Sequence, residues 1–345
     1  MHTKPSTPLL LIAFIFCLTP LFSRAQPANA GDYISVIGNA HAGVTQKYLN
    51  YISAVSHGKR ARKVEKLRTK LLTDIEDARY KFIDMGPWNG DKSLKDAAVD
   101  HMLLLYRVFN EDYAKIVDME EIAEQSYDGM EAYMLAQEKA NEKLELAGKK
   151  LDSATKAFAK KNNVNLVRNE SANDEKMKVV NNVYHYYNRI YLIFFKSNKQ
   201  EMYMLDAIEK NDLNALEQNK NSLARYATEG LSTLDTMKAF QADRTLINTT
   251  RKLLEFYKSE CATGIPAMSD FLLKMENFEK LKKDFEAKSN HSKDEVDAYN
   301  KAANELNKGA ETFNKTGQSL NEKRNRLLQD FEQATNAFLD GYIPK

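Results

Sequence analysis

The chain is poor in everything that punctuates or staples a fold: it has 2 cysteines, 7 prolines and 13 glycines in 345 residues. Cys17 lies in an N-terminal apolar run, so only Cys261 remains once that run is removed, and no intramolecular disulfide can then form. A hydrophobic core must hold such a chain together without covalent help. The shortage of proline and glycine leaves little material for turns, so few, long elements are implied. An excess of charge is missing as well. The full chain has 50 basic and 48 acidic residues, and loss of the first 25 residues removes Lys4 and Arg24 to leave 48 against 48. A general nucleic-acid binder draws its affinity mainly from neutralised phosphates, and a neutral chain argues against that class. There is no glycine-rich phosphate loop, cysteine pair or nucleophile elbow. The sequence therefore points to a protein without catalytic or cofactor machinery.

Long hydrophobic runs are absent too. The apolar stretch from Leu9 to Phe16 continues weakly to Phe22, is broken by Thr19 and Pro20, and falls short of the ~20 residues that a membrane span needs. With Lys4 ahead of it and Ser23-Arg24-Ala25 behind, it reads as a secretory signal peptide cleaved after Ala25, with Ala28-Asn29-Ala30 as a second site. Cys17 follows Phe16 rather than a small residue, which argues against lipoprotein processing. The expected location is extracytoplasmic, in the periplasm or on the cell surface, with no transmembrane span after cleavage.

What the sequence does contain is helix period. Apolar residues recur at alternating three- and four-residue steps almost throughout, where strands would show a period of two. The last helix shows this best: Tyr299, Ala303, Leu306, Ala310, Phe313, Gly317, Leu320, Arg324, Leu327, Phe331, Ala334 and Phe338 form one seam, with Arg324 its single charged member. Ser292 or Asp294 can cap its start, Gly341 and Pro344 can stop it, and at ~1.5 Å per residue it runs about 70 Å. The fold class expected is all-α: two tandem up-down helical bundles with long coiled-coil-like helices. After the signal peptide at 1–25, the first bundle spans 26–160, a polar segment without period at 161–173 links the halves, and the second bundle spans 174–345.

Two internal matches suggest duplication. Asp91-Lys92-Ser93-Leu94 resembles Asp243-Arg244-Thr245-Leu246 at a separation of 152, and Ala154-Thr155-Lys156-Ala157-Phe158 resembles Ala334-Thr335-Asn336-Ala337-Phe338 at 180. The separations differ by 28 residues, or four heptads, so the second bundle should carry a hairpin longer by two heptads in each arm. Gly264-Ile265-Pro266 should kink its helix, and Gly86-Pro87-Trp88-Asn89-Gly90-Asp91 should make a tight reversal ending in a helix cap. With the signal peptide, Asp32-Tyr33 opening the first helix and two helical-bundle halves, the chain resembles an uncharacterised bacterial family of exported helical-bundle surface proteins. That resemblance spans most of the mature chain and rests on pattern; it implies an envelope location and carries over no activity or functional residue.

Bundles often house metals, and di-iron bundles place Glu-x-x-His on facing helices. None of His41, His57, His101, His185 and His291 has Glu three residues before it. The His-x-x-Glu of imelysin-type exported proteins is approached only by His291-Ser292-Lys293-Asp294, a loop and helix cap. No metal site or cofactor is expected. His41 and His101 fall on apolar stripes of different helices, where core-edge packing is the plain reading and a paired ligand or pH sensor the sharper one. Tyr184, Tyr187, Tyr191 and Phe194 keep the bundle spacing and read as core, while Tyr186 and Phe195 lie off that stripe, in a wider buried face or a binding surface. Cys261, between Tyr257 and Ile265, reads as a small buried hydrophobe. One local imbalance stands out: Lys59, Arg60, Arg62, Lys63, Lys66, Arg68 and Lys70 occur against a lone Glu65, on the face opposite Val64, Leu67 and Leu71. This stretch is either a solvated helix face or a surface for an anionic partner, such as a glycan, a phosphate-bearing headgroup or an acidic protein. The expected function is a non-enzymatic binding or scaffold module of the cell envelope. The runner-up is a periplasmic bundle that binds a metal or a small ligand.

Overall fold

The computed structural model describes residues 27–167 and 172–344; the expected signal peptide at 1–25 and its cleavage site after Ala25 lie outside them. Helices α1 (Ala30–Ser56) and α2 (Ala61–Met85) form the first hairpin, and α3 (Ser93–Arg107) returns beside α2. A five-residue π-helical turn, Val108–Asp112, joins α3 to α4 (Tyr113–Ala123), and α5 (Tyr127–Lys161) closes the first half against α3 and α4. The order then recurs: α6 (Ala172–Glu209), α7 (Leu213–Thr236), α8 (Thr245–Ser259), a π turn at Glu260–Gly264, α9 (Ile265–Glu286) and α10 (Lys293–Tyr342). Among the described residues there is no strand; two isolated bridges, Trp88 with Asp91 and Phe240 with Asp243, close the α2–α3 and α7–α8 turns.

These two turns share their geometry. In each, the first and fourth residues exchange backbone hydrogen bonds at 2.7–3.0 Å. Both central residues have positive φ, Asn89 and Gly90 in one turn and Gln241 and Ala242 in the other. Aspartate then accepts from the backbone two residues on, Asp91 from Ser93 and Asp243 from Thr245. A shared packing motif sits beneath them. The Tyr33 ring packs on Trp88 and Phe158, and Tyr186 packs on Phe240 and Phe338 in the second half. Equivalent positions are thus 153 apart between α1 and α6, 152 through the two middle helices, and 180 between α5 and α10.

Pro266 needs no break in the helix. A π turn puts the Ile265 N–H on the Glu260 carbonyl, and Pro266 falls in the first turn of α9, where its missing N–H is not needed. The expected kink is thus a π turn with helix continuing on both sides. A matching π turn at Val108–Asp112 contains no proline, and no residue pattern marks it. Gly341 does not end α10, which runs on to Tyr342. Its start is set by Ser292, whose side chain and Glu295 form a reciprocal capping box.

The core runs through both halves without a gap, because α6 is packed on two sides. It shares a seam with α1 and α5, and is itself the first helix of the second half. That explains its aromatic run: Phe194 and Phe195 are buried, and Tyr186 belongs to the core beneath the second turn, so the residues off the main stripe serve a wider buried face. The α9–α10 hairpin behaves differently. From Leu273 to Lys323 no described residue is buried, and beyond the Phe271–Phe313 contact the outer part of the hairpin carries the ring contacts of Phe278 and Phe285 with Tyr299. Leu320 lies against Gly264, so the hairpin projects about 30 Å past that level.

Candidate functional site

Two adjoining cavities open in the first half, of about 440 Å³ and 340 Å³, and share Tyr48, Asn141 and Asn181 as a common wall. α1 and α5 supply the sides, and the first four turns of α6 supply a roof through Met177, Val180, Asn181 and Tyr184. By the 153 spacing, the helix equivalent to α1 begins near Val183, so most of that roof is an N-terminal extension of α6 without counterpart in the first half. α6 runs in the same direction as α1: Asn173 donates to the Ala42 carbonyl at 3.4 Å, and the Tyr184 hydroxyl meets Ser56.

The larger, outer cavity has apolar walls from Ile52, Val55, Val64, Ile116 and Val180, with tyrosine faces among them. At its floor the Tyr48 and Tyr113 hydroxyls are 3.1 Å apart, and both point at Oδ1 of Asn141, at 3.5 and 3.3 Å. Burial pushes both hydroxyls above their ordinary pKa, so they remain neutral donors. With its carbonyl so committed, Asn141 has only its N–H groups to offer. Asn188, almost wholly buried, and Asn181 also line the cleft, and neither has a hydrogen-bond partner among the described residues.

The smaller, inner cavity holds the histidine pair. His41 and His101 are brought together with ring centroids 5.0 Å apart, settling a proximity that the sequence left open. Burial, then the neighbouring His41, lower the His101 pKa to about 4, against a smaller opposing pull from the Ala147 carbonyl; burial also lowers that of His41. Both rings are therefore neutral at neutral pH. Neither nitrogen of His101, a residue 5% exposed, makes a well-formed hydrogen bond. No group of three His, Cys, Asp or Glu side chains among the described residues is arranged to hold a metal ion.

The basic stretch lies at the outer mouth. Lys59, Arg60, Arg62, Lys63, Lys66 and Lys70 are exposed and form no ion pair among the described residues, whereas Arg68 is half-buried and engaged. Arg68 binds Glu65 through two hydrogen bonds of 2.8 and 3.0 Å and donates at 3.2 Å to the Phe109 carbonyl. The π turn explains the second contact. The Tyr113 N–H that would ordinarily bind Phe109 is taken by Val108, which leaves the Phe109 carbonyl for arginine. Arg68 is thus a structural residue, and of the seven basic residues only it and Lys59 line the cleft.

The corresponding region of the second half is filled. Glu201, Glu260 and Arg324 take the places of Tyr48, Val108 and Leu144, and Arg324 donates to both carboxylates, to Glu260 at 3.0 Å. Burial, then the nearby Glu201, push the Glu260 carboxyl up to about 9, so one cation faces one carboxylate and one carboxylic acid at neutral pH. Burial likewise raises Glu201, against the pull of Arg324. Phe194 and Leu253 occupy the places of His41 and His101, and the Phe194 ring packs at a tilt on Phe331 with centroids 4.1 Å apart. Cys261, buried beside the two acids, has its thiol pushed up to about 12 and remains protonated. The seam arginine was the one sequence signal that could have located this cluster, since a charge on a buried seam demands carboxylates opposite.

No protein-family model matches the chain, and comparisons with curated proteins and with solved structures return no match.

Proposed function

We propose that the chain is an exported, non-enzymatic binding protein of the bacterial envelope whose first half takes up a small molecule, while its second half is a closed scaffold carrying a projecting hairpin. The observation that carries this reading is the contrast between the halves: one arrangement of helices occurs twice, sealed by an ion cluster and packed phenylalanines in the second copy and left open, roofed and lined with unpartnered amides in the first. Cavities of this size, mostly apolar with a few convergent polar groups, suit small-molecule binding. No helix among the described residues is long and apolar enough to cross a membrane. The two internal sequence matches fall at equivalent turns and helices, which supports descent of both halves from one unit.

The test uses the second half as a template. Replacing His41→Phe and Gly148→Leu installs in the inner cavity the side chains that the closed half carries there, and a Cβ at Gly148 meets nothing within 4 Å. The uncharged fluorophore N-phenyl-1-naphthylamine should bind the processed chain at one equivalent, and the double variant should lose most of that binding with unchanged helicity. Equal binding by a folded variant would exclude the inner cavity as the dye site, and absence of dye binding by the unaltered chain would remove the cleft reading. A second reading rests on the six exposed cations without ion pairs, which suit an anionic partner surface. Arg62, Lys63, Lys66 and Lys70 changed to Glu should weaken retention on isolated envelope fractions at low salt and have less effect at high salt.

A further inference from the structure

The cations around the outer mouth sit at the wrong end of a helix. α2 begins at Ala61, its cap position Arg60 makes no side-chain capping bond, and its first turn contains no acid. The first N–H groups of a helix carry partial positive charge and favour anions. Here they are met by Lys59, Arg60, Arg62 and Lys63, so like signs converge on one point. A bound anion would relieve that conflict, as phosphates and carboxylates do at other helix N-termini.

A second and independent feature faces the same place. Asn188 is 6% exposed, lines the outer cavity and has no hydrogen-bond partner among the described residues. Asn188 lies one turn past Tyr184, which meets Ser56 at the end of α1, and it lines the same cavity as Lys59. The residue is buried while its amide is not sealed off, so that amide is completed by what enters the cavity. From this end the walls run inward past Val55, Ile52 and Val180 to the tyrosine floor. The inner cavity offers an anion nothing comparable: its rim carries Glu145 and Asp174 against Lys178, and its two imidazoles are neutral.

We propose that the ligand is an amphipathic anion, with its acceptor-rich head held by Lys59 and the Asn188 amide in the positive field at the start of α2, and its apolar body lying in the outer cavity toward Tyr48, Tyr113 and Asn141. This assignment rests on the small-molecule reading of the cleft. The head is a carboxylate, sulfate or phosphate on a single chain or ring system, since the cavity of about 440 Å³ is lined by one cation without an ion pair, Lys59, the Arg68 and Glu65 charges beside it being paired with each other, which matches one charge and a short apolar body.

The experiment measures displacement of N-phenyl-1-naphthylamine from the processed chain by laurate, dodecyltrimethylammonium and dodecyl maltoside, each below its micelle concentration. Laurate should displace the dye at least 10-fold more tightly than the other two. Lys59→Glu and Asn188→Leu should each weaken laurate about 10-fold or more and leave dodecyl maltoside within about twofold. Trp88, which packs on Tyr33 at the other end of α1, reports through its fluorescence whether each variant is folded. If Asn188→Leu does not fold, Lys59→Glu at the exposed rim carries the test alone. Equal displacement by the three amphiphiles, or undiminished laurate binding by Lys59→Glu, overturns the anion assignment while leaving the cleft reading intact. Absence of dye binding by the unaltered chain overturns both. Chain that sediments with phosphatidylglycerol vesicles but ignores free laurate would show that the basic rim reads a membrane surface, and would also overturn the assignment.

Discussion

At the scale of single residues, the buried ionisable groups decide how stability depends on pH. Glu260 has a native pKa of about 9, raised above its ordinary value by burial and by Glu201. The folded chain therefore holds a proton that the unfolded chain releases near pH 4.5, and this contribution is complete below that pH and lost as pH rises toward 9. Glu260→Gln keeps the neutral form permanently. In urea unfolding it should match the unaltered chain at pH 5 and exceed it at pH 9, whereas equal midpoints at both pH values would show that Glu260 is not protonated in the fold. His101 acts in the opposite direction. Its pKa is lowered to about 4, so stability is full above pH 6.5 and is lost as pH falls toward 4, by at most about 3 kcal/mol. His101→Leu, which copies Leu253 of the closed half, should flatten this acid limb; an unchanged limb would place its origin elsewhere.

At the scale of elements, two devices can be tested separately. The first π turn displaces the Phe109 carbonyl, and Arg68 satisfies it. Arg68→Ala leaves that carbonyl short of a donor and Glu65 without its cation, and should cost about 1–3 kcal/mol of unfolding free energy. A change below about 0.5 kcal/mol would mean that water serves the carbonyl equally well. The projecting hairpin should matter far less. Deleting 273–286 and 293–306 removes two heptads from each arm, keeps the seams in register, and joins Leu272 to Asn307 through the original six-residue loop. Since no described residue between Leu273 and Lys323 is buried, the shortened chain should unfold within about 1 kcal/mol of the original. A collapse in stability would assign the hairpin a part in the core.

At the scale of the whole molecule, α6 couples the halves. The apolar cluster passes from α1 and α5 through α6 into α7, α8 and α10 without a gap, so the parts share buried surface that neither can cover alone. Calorimetry should accordingly show a single transition, coincident with the loss of Trp88 fluorescence and of helicity. Two resolved transitions would show that the α6 seam is too weak to join the halves. Helix class, element order and the long final hairpin were determined by the sequence itself, because a helix writes its buried face into a period that any window of it reveals. The tight turns were equally local, set by Asp91 and Asp243 and the residues just before them. Arg324 stood out as the single charge of its seam, but its partners could not be read, because Glu201 and Glu260 come from helices distant in the chain. The basic stretch was legible as charge, yet its split into one carbonyl clamp, one cleft-lining cation and five others depended on a π turn that no proline marked. The cleft belongs wholly to the tertiary structure: periodicity says which face of a helix is apolar, whereas a cavity is the space that three or four such faces fail to fill once the roof of α6 is laid across them.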